Sequence, residues 1–293
     1  MGTLNAISEL LLQSIWIKVI VIPLTFIAIC ILLFGRRDEL SGNAARNTLA
    51  TLFLVLLNYG TAILFAAQIA AAVQSFYDAL GIPHLDPAFW DGVPLLATIL
   101  IGLIVRDFAD YACHRWMHTS LGWPTHAAHH SDSHVNAFTV YRIHFLEALV
   151  ITTTNILLLT WLQIPEAIPF VLLLTILYGH YVHTDLPFTH GKLWWLFASP
   201  VFHRWHHADV PEAYGKNLSN IFSIWDVIFG TYYRAGPCKA EMGGRLSGLS
   251  DTNPLRIFIY PFQEWARIAR AALGRTTRRK APAPDLRAKV SKP

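Results

Sequence analysis

Long apolar runs alternate with short polar stretches through most of this chain. The runs cover residues 14–34, 48–73, 93–105, 145–164 and 168–183. A helix needs about 20 residues to cross a bilayer, so four or five runs are candidates. The third is free of charge only to Val105, and the last two flank a tight turn at Pro165–Glu166, so that pair either crosses or re-enters. The pattern predicts an all-α integral membrane helical bundle with four to five membrane segments.

The composition supports a chain whose solvent is partly lipid. Hydrophobic residues make up 54% of the 293 residues, charged residues only 14%, and the mean hydropathy is +0.39. Soluble domains carry about 25% charged residues. In a signal peptide the positive charges precede the apolar run, whereas here Arg36 and Arg37 follow the first run, so we expect a retained anchor.

The basic residues predict an orientation. They cluster between the first two runs and after the third and fifth, whereas the 75–92 loop has no Lys or Arg. Because Lys and Arg favour the cytoplasmic side, we expect the N-terminus outside and the C-terminus inside, in a bacterial inner membrane or the endoplasmic reticulum. Three parts are expected: N-terminal transmembrane helices and an extracytoplasmic loop (1–92), a catalytic domain (93–262), and a basic, disordered tail on anionic lipid headgroups (263–293).

The histidines collect at one predicted membrane face. Thirteen of the 14 lie between His114 and His207, and the predicted topology places all of them at or beyond the cytoplasmic face, in a helical cap, with His84 alone on the other side. Spacings of three and four residues put side chains on one helix face. The resulting candidate metal ligands are His114, His118, His126, His129, His130, His180, His183, His203, His206 and His207.

Ten imidazoles exceed the needs of one four-coordinate zinc ion and suit two ions. Buried, adjacent imidazoles without a ligand would be costly unsatisfied polar groups. Imidazole binds Zn, Cu, Fe and Ni, so ligand type alone leaves the metal open. We expect supporting roles, behind the ligands or along a substrate path, for Asp107, His134, His144, Asp185 and Asn217. The three cysteines form no CxxC pair and are assigned structural roles.

The histidines form four boxes in order: HxxxH at 114–118, HxxHH at 126–130, the pair His180 and His183, and a second HxxHH at 203–207. In this order the boxes resemble the fatty acid hydroxylase and sterol desaturase superfamily. The resemblance runs from about Val93 to Tyr233, through "DFADYACHR" at 107–115, "ASPVFHRWHH" at 198–207 and the closing stretch "YGKNLSNIFSIWDVIFGTYY" at 214–233. His183 matches the family's middle histidine, and His180 is its less closely matched partner.

The resemblance implies a membrane oxidoreductase with two non-haem iron ions held by these histidines on the cytoplasmic face. Such an enzyme uses O₂ to hydroxylate or desaturate a fatty acyl, sterol or related lipid C–H bond, and both reactions stay open here. No haem motif or cysteine cluster is fused to the chain, so electrons are expected from a separate donor of the cytochrome b5, ferredoxin or reductase type. The alternatives are a histidine-rich membrane metal-binding protein or transporter, and a catalytically inactive relative acting as a scaffold. No nucleic-acid partner is expected.

Overall fold

A computed structural model describes residues 14, 16–234, 236–243, 249 and 252–280. Within these residues the chain is helical, and extended pairing is limited to one bridge between Ala208 and Met242. The nine helices of the described part are α1 (Ile17–Phe34), α2 (Gly42–Leu80), α3 (Leu95–Met117), α4 (Trp123–His130), α5 (Phe145–Leu162), α6 (Ile168–Val182), α7 (Pro200–His206), α8 (Ile224–Phe229) and α9 (Pro254–Lys280). The predicted all-α class is confirmed.

Local sequence signals set the helix ends. Gly35 and Gly81 end α1 and α2 in the left-handed conformation, with φ of 65° and 60°. Ser41 and Ser199 cap α2 and α7, since each hydroxyl accepts a backbone N–H three residues on. A side-chain acceptor at this position satisfies one of the free donors of the first turn.

The long helices pack into one bundle. Helix α5 lies against α2 and α3, and α6 lies against α3, α7 and α1. Gly102 of α3 marks a close approach, because an added Cβ would lie 2.9 Å from Ile164 and 3.0 Å from Val171. The apolar core there holds Ile99, Leu103, Leu159, Leu162, Ile164, Ala167, Val171 and Ile221.

Two helices are long and apolar enough to cross a membrane, namely α1 and α5, while α6 is apolar but shorter. Helix α3 carries four charged side chains in its C-terminal half, at Arg106, Asp107, Asp110 and Arg115. The predicted count of four to five membrane segments therefore stays a prediction.

The C-terminal part differs from the expectation. The tail predicted to be disordered from residue 263 lies, as far as Lys280, in the 27-residue helix α9, so the expected boundary after 262 falls inside a helix. Helix α9 is ordered because its inner face packs against α4 and α2, with Ile257 fully buried. The remaining residues of the tail, 281–293, lie outside the described residues.

The bundle has two different ends. At one end the 81–94 loop closes over α5, where the indole N–H of Trp90 donates to the Leu162 carbonyl at 2.8 Å. His84 lies in this loop with its ring 4.9 Å from that of Tyr77. Helix α3 runs from this end to the opposite end, where His114 lies. The expected separation of His84 from the other thirteen histidines therefore matches the fold.

Candidate metal centre

Nine of the ten predicted ligands meet at the end of the bundle opposite His84. They form two adjacent groups, in each of which the possible ligand atoms lie within 4.8 Å of one another. The five-histidine group contains His114, His118, His126, His130 and His206, and the four-histidine group contains His129, His183, His203 and His207.

Four segments deliver these rings. His114 and His118 end α3, and three histidines lie on the short helix α4. His183 follows α6 directly, and the last three lie on or just after α7. On both α4 and α7 two consecutive histidines end the box, and each member of such a pair joins a different group. The two groups therefore share both helices.

Backbone carbonyl oxygens fix the tautomers of several rings through hydrogen bonds to Nδ1. The Nδ1 atom of His206 lies 2.8 Å from the Lys216 carbonyl oxygen and that of His183 lies 2.6 Å from Gly179 O, so each Nδ1 must donate. His114 does the same to Leu218 O. A proton on Nδ1 leaves the Nε2 lone pair free to face the group, which is how protein imidazoles bind metals.

With Nδ1 as the donor in both rings, the Nε2 atoms of His114 and His126 face each other without protons. Those of His114 and His126 are 3.0 Å apart, although the Nδ1 of each ring already has an acceptor behind it. Two lone pairs at this distance repel each other unless a cation lies between them. Imidazole nitrogens about 2 Å from a shared ion are themselves about 3 Å apart or slightly more.

Unpartnered buried nitrogens give the same indication. Atoms without a hydrogen-bond partner include Nε2 of His118, His130, His206 and His207, and Nδ1 of His129, His203 and His207. Nearly all buried polar groups in proteins are paired. So many unpaired buried nitrogens at one place fit a bound metal, which would accept their lone pairs.

Burial keeps these rings neutral. Desolvation, reinforced by the neighbouring histidines, holds the pKa of His126, His129 and His130 well below its ordinary value. It lowers the pKa of His183 to about 3. Neutral imidazole is the metal-binding form, so the centre is ready to bind ions at neutral pH.

His180 lies apart from both groups. Its Nδ1 is 2.7 Å from the Ala137 carbonyl oxygen, and its ring packs 5.1 Å from Tyr141 and 6.2 Å from Phe26. Its Nε2 is buried without a partner. The three-residue spacing to His183 aligns the two along α6, but only His183, just past the helix, reaches the four-histidine group.

The residues expected behind the ligands have other partners. Asp107 accepts from the backbone N–H groups of Ile221 and Phe222 and from the Trp225 indole, at 2.9–3.0 Å. Asn217, at φ 56°, bonds the backbone of Phe202 and Tyr233. Both fix the closing stretch rather than a ring.

The other three candidates also hold the scaffold. His134 pairs with Glu39 at 3.4 Å. His144 caps α5, and its Nε2 lies 3.0 Å from the Phe258 carbonyl oxygen. Asp185 pairs with arginines of two segments, Arg36 and Arg204.

Two acids outside the five expected supporting residues also hold the rings, Glu147 and Asp226. Glu147 Oε1 accepts from His126 Nδ1 at 2.7 Å, and both side chains are 4% exposed. Asp226 accepts from the N–H groups of Leu218 and Ser219 at 2.8 Å, which fixes the carbonyl that receives His114. The signal for Glu147 was an ionisable residue inside an apolar run, a pattern that marks function in membrane helices.

A pocket of about 480 Å³ opens onto the centre. Four ligand candidates line it, His118, His130, His206 and His207, together with Trp123, Ala208, Asp209, Tyr214, Gly215, Gly243, Tyr260 and Glu264. Its wall is largely aromatic and apolar, and small-molecule sites in proteins have this character.

Residues 99–231 match the family model described as fatty acid hydroxylase. The match contains all ten candidate ligands and both acids. This part of the chain, 133 of its 293 residues, is similar to the fatty acid hydroxylase family. No solved structure matches it.

Several curated relatives are lipid oxidising enzymes by name. The chain is 30% identical over 186 residues to the ornithine lipid hydroxylase of Rhizobium tropici, which covers 60% of this chain and 56% of the relative. It is 30% identical over 171 residues to human alkylglycerol monooxygenase, covering 58% and 36%. It is 25% identical over 153 residues to methylsterol monooxygenase 1-3 of Arabidopsis thaliana, covering 47% and 48%. The matched region thus spans about half or less of these relatives.

Proposed function

We propose that this protein is an O₂-dependent di-iron membrane oxidoreductase that acts on a lipid C–H bond. The observation that carries the proposal is the pair of buried histidine groups, nine imidazoles in all, beneath an aromatic pocket. Names of relatives that contain hydroxylase or monooxygenase favour hydroxylation over desaturation.

The five-histidine and four-histidine groups would each hold one iron ion. When bound, the metal pair supplies the oxidising power for an unactivated C–H bond, which side chains lack. The chain itself holds the rings neutral, fixes their tautomers through carbonyl oxygens and Glu147, and shields the centre from water. Trp123 and Tyr260 offer apolar surface for a lipid chain beside the rings.

The proposal includes a membrane setting. Helices α1 and α5 cross the bilayer, with α2, α3 and α6 completing the predicted four to five segments, and the centre lies on the cytoplasmic side in a bacterial inner membrane or the endoplasmic reticulum. Electrons come from a separate carrier, since the described cysteines, Cys30, Cys113 and Cys238, are free thiols in separate places.

The transporter alternative predicts ligands near the middle of membrane-spanning helices. Here the histidines occupy helix ends and two short helices outside the long spans. This placement favours an enzyme.

Lipid analysis tests the proposal. The chain, a His206→Ala variant and a His84→Ala control are expressed in a lipid-rich host, and the lipids are compared by mass. We expect a gain of one oxygen with the unchanged chain and the control, and none with His206→Ala. A loss of two hydrogens would indicate desaturation. Identical lipid profiles for all three, with about two iron ions bound per purified chain, would refute lipid oxidation while leaving the metal centre intact.

A further inference from the structure

Helix α9 presents three distinct faces. Its inner face packs on α4 and α2 through the buried side chains of Ile257 and Pro261. Tyr260 and Glu264, also on this side, line the pocket above the histidines. The inner face therefore forms part of the wall of the candidate active site.

The second face is an exposed apolar stripe. Leu255, Ile259 and Phe262 are 64%, 45% and 46% exposed, and they follow one another at spacings of four and three residues. Such spacing places them on one side of a helix. A continuous exposed apolar patch marks a surface that contacts another molecule or a membrane.

The third face is basic. Arg256, Arg267 and Arg270 are exposed, and Glu264 is the one acid between Pro254 and Leu273, where it pairs with Arg267 at 2.5 Å. The net charge of this part of α9 is positive. An apolar stripe beside arginines complements the interface of an anionic bilayer, where the stripe enters the acyl boundary and the arginines stay at the headgroups.

The position of α9 in the fold supports the same partner. Phe145 is the first residue of α5, one of the two helices able to cross a membrane. Its ring lies 5.6 Å from that of Phe258 and 6.5 Å from that of Phe262. Helix α9 thus runs past the N-terminal end of α5, which is where a bilayer surface would lie once α5 crosses the membrane.

We propose that α9 lies in the headgroup region of an anionic membrane and joins that surface to the pocket over the histidine groups. Lipid reaching the centre passes along the helix whose outer face touches the bilayer and whose Tyr260 and Glu264 line the pocket. The proposal rests on the membrane setting given under the proposed function.

Spin labels on the full-length chain test this placement. Cys113 and Cys238 are replaced by serine, whereas Cys30 is 1% exposed and stays unlabelled. Labels at Ile259→Cys and Phe262→Cys report the stripe, Gln263→Cys reports the polar face, and Leu32→Cys on α1, 80% exposed, is the membrane reference. The protein is reconstituted in phosphatidylcholine nanodiscs with and without phosphatidylglycerol, and the accessibility of each label to O₂ and to a nickel chelate is measured.

We expect the stripe labels to match Leu32 in favouring O₂ and the Gln263 label to favour nickel. Phosphatidylglycerol should strengthen this contrast. Since each basic residue near an anionic surface adds about 1 kcal/mol of attraction, Arg256→Gln with Arg270→Gln should lower the ratio of surface-bound to unbound α9 about 30-fold, whereas the matched lysine pair should preserve it. Metal content serves as the folding check.

Three results would overturn the proposal. Stripe labels open to nickel while Leu32 favours O₂ would place α9 in water and leave the membrane setting intact. Dipolar broadening at Phe262 would show that a second copy covers the stripe instead. If Leu32 itself is open to nickel, the membrane setting fails and α9 fails with it.

Discussion

The contact between Glu147 and His126 gives the sharpest test of the metal centre. Glu147→Ala removes the carboxylate that fixes the tautomer and direction of one ring in the five-histidine group. Glu147→Gln keeps an acceptor oxygen but replaces the acid with an amide. Because the other fixed rings rest on backbone carbonyls, we expect the four-histidine group to keep its ion in both variants.

The structure sets the size of the effect. The 2.7 Å bond joins two side chains that are each 4% exposed, so water neither replaces nor screens it. Loss of such a hydrogen-bonded partner behind a metal-binding histidine typically weakens metal binding about 10–100-fold. We expect the upper part of this range for alanine and the lower part for glutamine.

Metal retention measures the effect directly. Iron-loaded protein is dialysed against a graded chelator, and the iron left per chain is determined with lipid oxidation measured alongside. Glu166→Gln, in the exposed turn between α5 and α6, is the matched control. If both Glu147 variants hold iron as tightly as the control, the carboxylate has no part in the centre and the reasoning from its geometry is refuted.

Three further outcomes follow from the structure. His180→Ala should keep the full metal content whereas His203→Ala should lose one ion, because only His203 belongs to a group; loss of an ion from His180→Ala would contradict the assignment. Gly122→Ala should destabilise the fold by about 1–3 kcal/mol or more, since its Cβ would collide with the carbonyl oxygen of Trp116, and an unchanged urea midpoint would count against this. Burial alone lowers the pKa of His134, but the hydrogen bond and charge of Glu39 outweigh it and raise the pKa, so the pair stabilises most below about pH 6.5 and less as the pH rises through the raised pKa. Glu39→Gln should therefore cost more stability at about pH 6 than at about pH 9, and denaturant titrations showing equal costs at both would argue against the pair.

The histidine boxes were predictable because helical spacing and metal chemistry both require their rings to lie close together. An i, i+3, i+4 box on a short helix such as α4 must place its rings on neighbouring faces, and no apolar core can accept so many imidazoles unligated. The allocation to two groups was not predictable, since it depends on how α4 and α7 are placed relative to each other in the fold. His180 shows the limit, because helical spacing aligned it with His183 while packing directed it to Ala137 and Tyr141.

The supporting residues were harder to predict. Asp107 lies one heptad before His114 on the same helix. Its carboxylate nevertheless accepts from the backbone N–H groups of Ile221 and Phe222, which are far away in the sequence. Local spacing carries no information on such long-range partners. The C-terminal helix was missed for a related reason: its basic composition suggested disorder, while its order comes from a packed inner face against α4.

Consecutive histidines on α4 and α7 divide between the two groups, and this has a consequence for how the sequence can change. One residue inserted or deleted inside either box would rotate every later ring by about 100°. Nitrogens meant for one ion would then face the other, or neither. Related sequences should therefore tolerate insertions and deletions in the surrounding loops but not inside these two boxes.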